Sequence, residues 1–161
     1  MKIKPEFCFE EKYKQYSNMI YRICISYLGN KHDAEDALQD IFIKLAYHAP
    51  DFTDKEDEKA WIIRVSINKC KNILKSFWHK HVTKTDDLFI QPEIMKPDMD
   101  SVLNDIIKLD VKQKEVIYLY YIEGFKIWEI SHILKISESC VKMRLSRGKK
   151  QLKHILEESD E

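Results

Sequence analysis

Phe9, Tyr13, Tyr16, Ile20, Ile23 and Tyr27 recur at three- and four-residue spacing. That period lines large apolar side chains along one stripe of a helix and does not fit the alternation of a strand. A stripe of this size over residues 8 to 28 has to be buried against other elements, and the chain supplies further helices. Gly29-Asn30 ends the first. Asp33 is the expected cap of a second, with Asp36 in its first turn and Ala37, Leu38, Ile41, Phe42 and Leu45 as its stripe. DFTDKEDEK reads as a polar loop, after which helix resumes near Ala60 with Trp61, Val65, Asn68 and Leu74 along it. Only three Gly and four Pro occur in 161 residues, too few for a turn-rich β fold. The expectation is an all-α chain of two small helical domains.

From His79 to about Asp100 the helical stripe fails and Pro92 and Pro97 appear. The boundaries drawn from this are an N-terminal helical domain over 8–80, a linker over 81–102 and a C-terminal domain over 103–156. In the last, Asp110 reads as an N-cap with Gln113 at the capping-box position. Gly124 suits the end of that helix, and a short helix follows over about 126–134.

Lys135-Ile136-Ser137 leaves room only for a tight turn. Ser137 is a good cap for a new helix starting at Glu138, with Val141, Leu145, Gly148, Leu152, Ile155 and Leu156 in its apolar row. Lys142, Met143, Ser146, Arg147, Lys149, Lys150 and Lys153 lie outside that row. Helix, tight turn and longer basic helix is the organisation of a helix-turn-helix reader of the DNA major groove. Arg147 or Lys142 suits guanine edges, and Lys149, Lys150 and Lys153 suit phosphates. The alternative is an ordinary helical hairpin with a solvated basic face. Many such turns carry Gly where this chain has Lys135; a left-handed Lys costs roughly 1 kcal/mol.

Net charge is zero, with 27 Lys/Arg against 27 Asp/Glu, but the charge is blocked. Residues 32–58 hold nine acids and two Lys, 59–84 seven Lys/Arg and no acid, 86–105 six acids and one Lys, and 137–154 six bases and one acid. Each block can serve a different partner. The cysteines, at 8, 24, 70 and 140, lack metal-ligand spacing and read as reduced, buried thiols. No cofactor or metal is expected. No apolar run approaches the ~18 residues of a membrane span, and the N-terminal residues show no signal-peptide core, so membrane insertion is not expected and the location is read as cytoplasmic.

DAEDALQDIFIKL (33–45), AWIIRVSINKCKNIL (60–74) and the helix-turn-helix, in that order, resemble a small sigma factor of bacterial RNA polymerase. The similarity is to the extracytoplasmic-function (ECF) subgroup of the sigma-70 family, which has only the second and fourth sigma domains, and it covers about 9–78 and 103–156. The resemblance implies a transcription initiation factor, not an enzyme. Its partners would be core polymerase, through the clamp helices of the largest subunit and the flap, promoter DNA, and an anti-sigma factor in many relatives. Asp36, Gln39, Asp40 and Ile43 occupy the outward positions that would bind the clamp; the alternative is that Asp33, Asp36 and Asp40 only cap and solvate the helix. Arg64, Asn68, Lys71 and Lys75 would meet the −10 element, which the family melts and holds as single strand. The basic helix would read the −35 element. Trp61 is read as core packing, and Phe77 and Trp78 as stacking or docking residues. The acidic 51–59 stretch departs from the loop that captures a flipped base in the family. Ser76, His79 and Lys80 stand where the family tends to place Arg, and Lys loses the bidentate fork. The acidic linker would thread towards the RNA exit path. No cysteine–histidine zinc motif of the redox-sensing anti-sigma type is present.

Two other functions compete. A stand-alone helix-turn-helix regulator would bind DNA without polymerase, but leaves the 33–45 motif and the second basic block unexplained. A metal-dependent nuclease built on His32, Asp33, Asp36 and Asp40 would need a divalent ion; the same carboxylates favour a helix N-terminus without one.

Overall fold

A computed structural model describes residues 3–83 and 105–159, with side chains in the first segment described as far as Phe77. The chain divides between Ile94 and Met95 into two compact units. Among the described residues both are helical, with no strand.

The first unit holds three mutually packed helices, α1 (Phe9–Leu28), α2 (Lys31–His48) and α3 (Lys55–Thr83). The α1 stripe is buried at Tyr16, Ile20, Ile23 and Tyr27, whereas Phe9 and Tyr13 stay largely exposed. Both rings lie against Phe42 of α2, at 5.7 and 5.3 Å between centroids. Gly29 closes α1 in the left-handed conformation (φ 64°), which a residue without Cβ adopts at little steric cost. The α2 stripe is buried as expected.

Its cap differs from the expectation. Asn30, not Asp33, is the N-cap, and its Oδ1 accepts from the Asp33 backbone N–H at 3.1 Å. Gly29 caps the end of α1 and Asn30 the start of α2, so there is no intervening loop for Asp33 to close.

The larger correction is at 51–59. Helix begins at Lys55, not Ala60, because Asp54 Oδ1 accepts from the Asp57 N–H at 2.7 Å while Asp57 Oδ2 accepts from the Thr53 N–H at 3.2 Å. Glu56, Asp57 and Glu58 then lie in the first turn, where the helix dipole favours negative charge. The inner face of α3 is Ile62, Ile63, Ser66, Ile67 and Cys70; Val65 and Leu74 are only half-buried. Of the expected linker, residues 81–83 are the end of α3 and the remainder lies outside the described residues. Cys24 and Cys70 are buried thiols, but Cys8 is exposed and Cys140 half-buried.

Glu58 joins α3 to α1. Its two carboxylate oxygens each accept from Lys12 Nζ at 2.8 Å, and Oε1 also accepts from the Tyr16 hydroxyl at 2.6 Å. Burial first, and the bond to Glu58 second, push the Tyr16 phenol above the ordinary tyrosine range.

The second unit contains α4 (Val111–Ile117), a π turn (Tyr118–Ile122), α5 (Ile127–Leu134) and α6 (Glu138–Ser159). Asp110 is at the N-cap position of α4, but its carboxylate accepts from Gln151 Nε2 of α6 at 2.8 Å and makes no cap bond. The expected capping box is therefore absent; Gln113 is buried instead. The π turn widens the helix before Gly124 (φ 74°), and the Tyr118 hydroxyl closes it on Glu123 at 2.7 Å. Val141 and Leu145 of α6 are buried with Ile130 and Ile133 of α5 and Val116, Ile117 and Leu119. Arg144 turns inward, 4.0 Å from buried Glu115.

The turn between α5 and α6 hinges on one left-handed residue. Lys135 takes the left-handed conformation (φ 56°, ψ 47°) that the position requires. The Ile136 N–H donates to the Ser131 carbonyl at 3.1 Å and Ser137 Oγ accepts from the Cys140 N–H at 3.1 Å. Lys135→Gly is expected to raise unfolding stability by up to about 1 kcal/mol, since relief of the Cβ clash outweighs the extra unfolded-chain entropy of glycine. Urea denaturation of both chains checks this.

Candidate nucleic-acid and polymerase interfaces

All six residues expected to face DNA on α6, Lys142, Met143, Ser146, Arg147, Lys149 and Lys150, are exposed. They are exposed because the opposite face, Val141, Leu145 and Gly148, is occupied by the core. Met143, 46% exposed among cations, presents an apolar tip of the kind that meets thymine methyl groups. Lys149 is tied to the flank of this face. Its ammonium lies 5.8 Å from the Tyr121 ring centroid, and its hydrogen bond with Tyr121 raises its pKa. The reading from sequence passed over Glu138 and Ser139, exposed on the first turn of α6. Readers of this type use those N-terminal positions of the second helix.

On α3, Arg64, Asn68, Lys71 and Lys75 fall on one helical face by their spacing. Asn68 and Lys75 are exposed, and Arg64 and Lys71 half-buried. Lys69 of the same basic block is turned away from them. Its Nζ lies 3.0 Å from Asp40 Oδ2 of α2, so one of the seven cations pairs with the acidic helix. Trp61 is half-buried with its ring edge-to-face on Phe52, 5.6 Å between centroids, in accord with a packing role. Phe77 is 39% exposed; the side chains of Trp78, His79 and Lys80 lie outside the described residues, as does the acidic stretch 86–104. Five of the nine residues read as an acidic loop, 55–59, belong to α3, and Glu58 among them is buried.

On α2, Asp36, Gln39, Asp40 and Ile43 are all exposed on one face. Ile43 leaves 56% of its surface in water. Tyr47, one turn on and 40% exposed, extends the same face, and the reading from sequence did not include it. An aliphatic and an aromatic side chain flanked by carboxylates form a surface that suits a protein partner with apolar and basic groups. The one cluster of potential metal ligands among the described residues is His32, Asp33 and Asp36, all exposed. His32 Nδ1 lies 3.2 Å from Asp36 Oδ2, and the Asp33 N–H is engaged by the Asn30 cap. Among the described residues no helix is long and apolar enough to cross a membrane.

The two units match two families in the same order. Residues 13–79 match Sigma-70 region 2, and residues 102–152 match Sigma-70, region 4. The chain is 30% identical over 154 residues to the ECF RNA polymerase sigma factor SigM of Bacillus subtilis (strain 168), an overlap of 91% of this chain and 93% of that protein. It is 27% identical over 158 residues to SigW of the same organism, covering 88% and 84%. Among solved structures, the sigma factor RpoE in complex with the anti-sigma factor NepR from Bartonella quintana is similar with a TM-score of 0.74 at 20% identity, over 92% of this chain and 96% of that one. CnrH in complex with the cytosolic domain of CnrY gives 0.68 at 21% identity, over 92% and 87%. These two likenesses show a shared fold. Both basic faces and the acidic-apolar face of α2 thus sit on units of known kind, and the chain belongs to the ECF subgroup of the sigma-70 family: it is a transcription initiation factor that binds core RNA polymerase and directs it to promoters.

Proposed function

We propose a division of labour among the three surfaces. The outward face of α2, with Asp36, Gln39, Asp40 and Ile43, docks on the clamp helices of the largest polymerase subunit. The α3 face of Arg64, Asn68, Lys71 and Lys75 holds the −10 element as it opens. The α6 face of Lys142, Met143, Ser146, Arg147, Lys149 and Lys150 reads the −35 element, and the second unit meets the flap. The first domain runs from residue 8 to the end of α3 at Thr83 and the second over 103–156, and the protein acts in the cytoplasm without catalysis of its own. An anti-sigma factor is a further partner, in keeping with the complexes of the two structural neighbours.

The observation that carries this reading is the separation of exposed chemistry on helices whose opposite faces are core: carboxylates with Ile43 on α2, cations with Asn68 on α3, cations with Met143 on α6. It is tested on holoenzyme assembled from the full chain and core polymerase. Genomic fragments retained by that holoenzyme supply the promoter duplex. Arg147→Ala is expected to weaken holoenzyme binding to the duplex by about 1–3 kcal/mol, with relaxed preference at one upstream base pair, and to leave core binding intact. Asp40→Lys is expected to weaken core binding at least tenfold while the chain keeps its helicity, because reversing the charge repels both Lys69 and a basic partner. Core affinity unchanged in Asp40→Lys removes α2 from the interface.

A further inference from the structure

Trp128 is the most exposed of the large hydrophobic side chains among the described residues, at 59%. Tryptophan seldom stands so far into water, and nothing in the α5 core requires it there: Ile130 and Ile133, on the other side of the helix, are the buried residues. The indole lines a groove of about 330 Å³ together with Tyr120, Lys126, Ile127, Glu138 and Lys142. Two lysines and two aromatic rings thus meet in one groove whose single acid, Glu138, lies in the first turn of α6, where the helix dipole favours it. Lys142 belongs both to this groove and to the α6 face assigned above to DNA, so the groove continues that face onto α5. In a helix-turn-helix reader the first helix crosses the sugar-phosphate backbone beside the groove that the second helix enters.

We propose that Trp128, with Lys126, clamps the DNA backbone alongside the recognition helix. The indole face packs on a deoxyribose, its N–H donates to a phosphate oxygen, and Lys126 neutralises a neighbouring phosphate. Two lysines against one acid in the groove favour a polyanion over an apolar protein segment as occupant. This inference rests on the reading of α6 as the DNA-facing helix.

The test uses holoenzyme assembled from the full chain and the promoter duplex recovered from genomic fragments. Trp128→Ala lowers duplex affinity about fivefold or more, Trp128→Phe lowers it less, and neither changes assembly with core polymerase. Lys126→Ala makes the slope of log affinity against log salt shallower by about 1. If Trp128→Ala instead weakens assembly with core polymerase and leaves the duplex affinity of the assembled holoenzyme intact, Trp128 is a protein contact and the proposal is overturned. No change in either quantity overturns it equally. Arg147→Ala measured in parallel separates the two levels. Loss of duplex affinity there, without loss in Trp128→Ala, removes the clamp alone; no loss in either removes the reading of α6 as well.

Discussion

Glu58→Ala is expected to destabilise the N-terminal unit by about 3 kcal/mol or more. The carboxylate is almost wholly buried and is the shared acceptor for Lys12 and Tyr16. Removing it strands an ammonium that is only a quarter exposed and a phenol that is buried. Truncating one member of such a group leaves the others desolvated without compensation, and that residue drives the loss. Lys12→Met in the same chain should restore part of the stability, since the stranded charge is then gone; the cycle gives a coupling of about 1–3 kcal/mol. Urea unfolding of the four chains by circular dichroism measures it. An additive cycle would mean that Lys12 and Glu58 do not share one site. Alkali probes the same cluster. The Tyr16 pKa is raised in the folded chain, so its contribution is fully present below the ordinary tyrosine pKa and is lost as pH rises above it. Tyr16→Phe should flatten the alkaline limb of the stability curve.

Gly148→Ala is the second large expectation, with a loss of about 2 kcal/mol. In an exposed helix the change would gain about 1 kcal/mol from propensity. Here an added Cβ would lie 2.6 Å from Ile117 Cγ1 and 2.9 Å from its Cδ1. Ile117 is fully buried and has little room to yield, and Gln113 Cβ stands at 3.4 Å on the other side. Overpacking of a filled core costs typically 1–3 kcal/mol and outweighs the propensity. Because the contact joins α4 to α6, the substitution pushes the basic helix off its support, so duplex affinity of the holoenzyme should fall as well. Ile117→Ala combined with Gly148→Ala should show strong favourable coupling. Thermal denaturation checks the single and double variants; a Gly148→Ala chain more stable than the parent would mean that α4 and α6 are not in contact there.

The elements most legible in the sequence were those whose own periodicity is decisive. The α1 stripe, the α2 stripe and the helix-turn-helix all follow from local spacing, and Ser137 does cap α6 as its residue type suggests. What could not be read depends on partners distant in sequence. Glu58 looks like one more solvated acid in DFTDKEDEK, because the groups that pair it lie more than 40 residues upstream. With Glu58 counted as solvent-facing, the five helical residues 55–59 looked like loop. Asp110 carries the signature of a cap, yet Gln151, 41 residues on, takes its carboxylate. The π turn carries no recognised period. On α6 the outward-facing residues were legible as the complement of the apolar row; on α2 and α3 they came from the family resemblance, and Asn68, read along the α3 stripe, is exposed instead. Tyr47 and Trp128 were not legible, because an aromatic residue in a helix is ordinarily assigned to the core. Lys69 counted as one of seven cations, and only the fold shows that it faces Asp40.

The most direct measurement is transcript initiation with purified chain, core RNA polymerase and fragments of the source genome as template. The account predicts discrete start sites that require both proteins and share upstream sequence elements, and that Asp40→Lys diminishes by weakening assembly. Specific duplex binding by the chain alone, with no complex with core polymerase and no start sites, would contradict it.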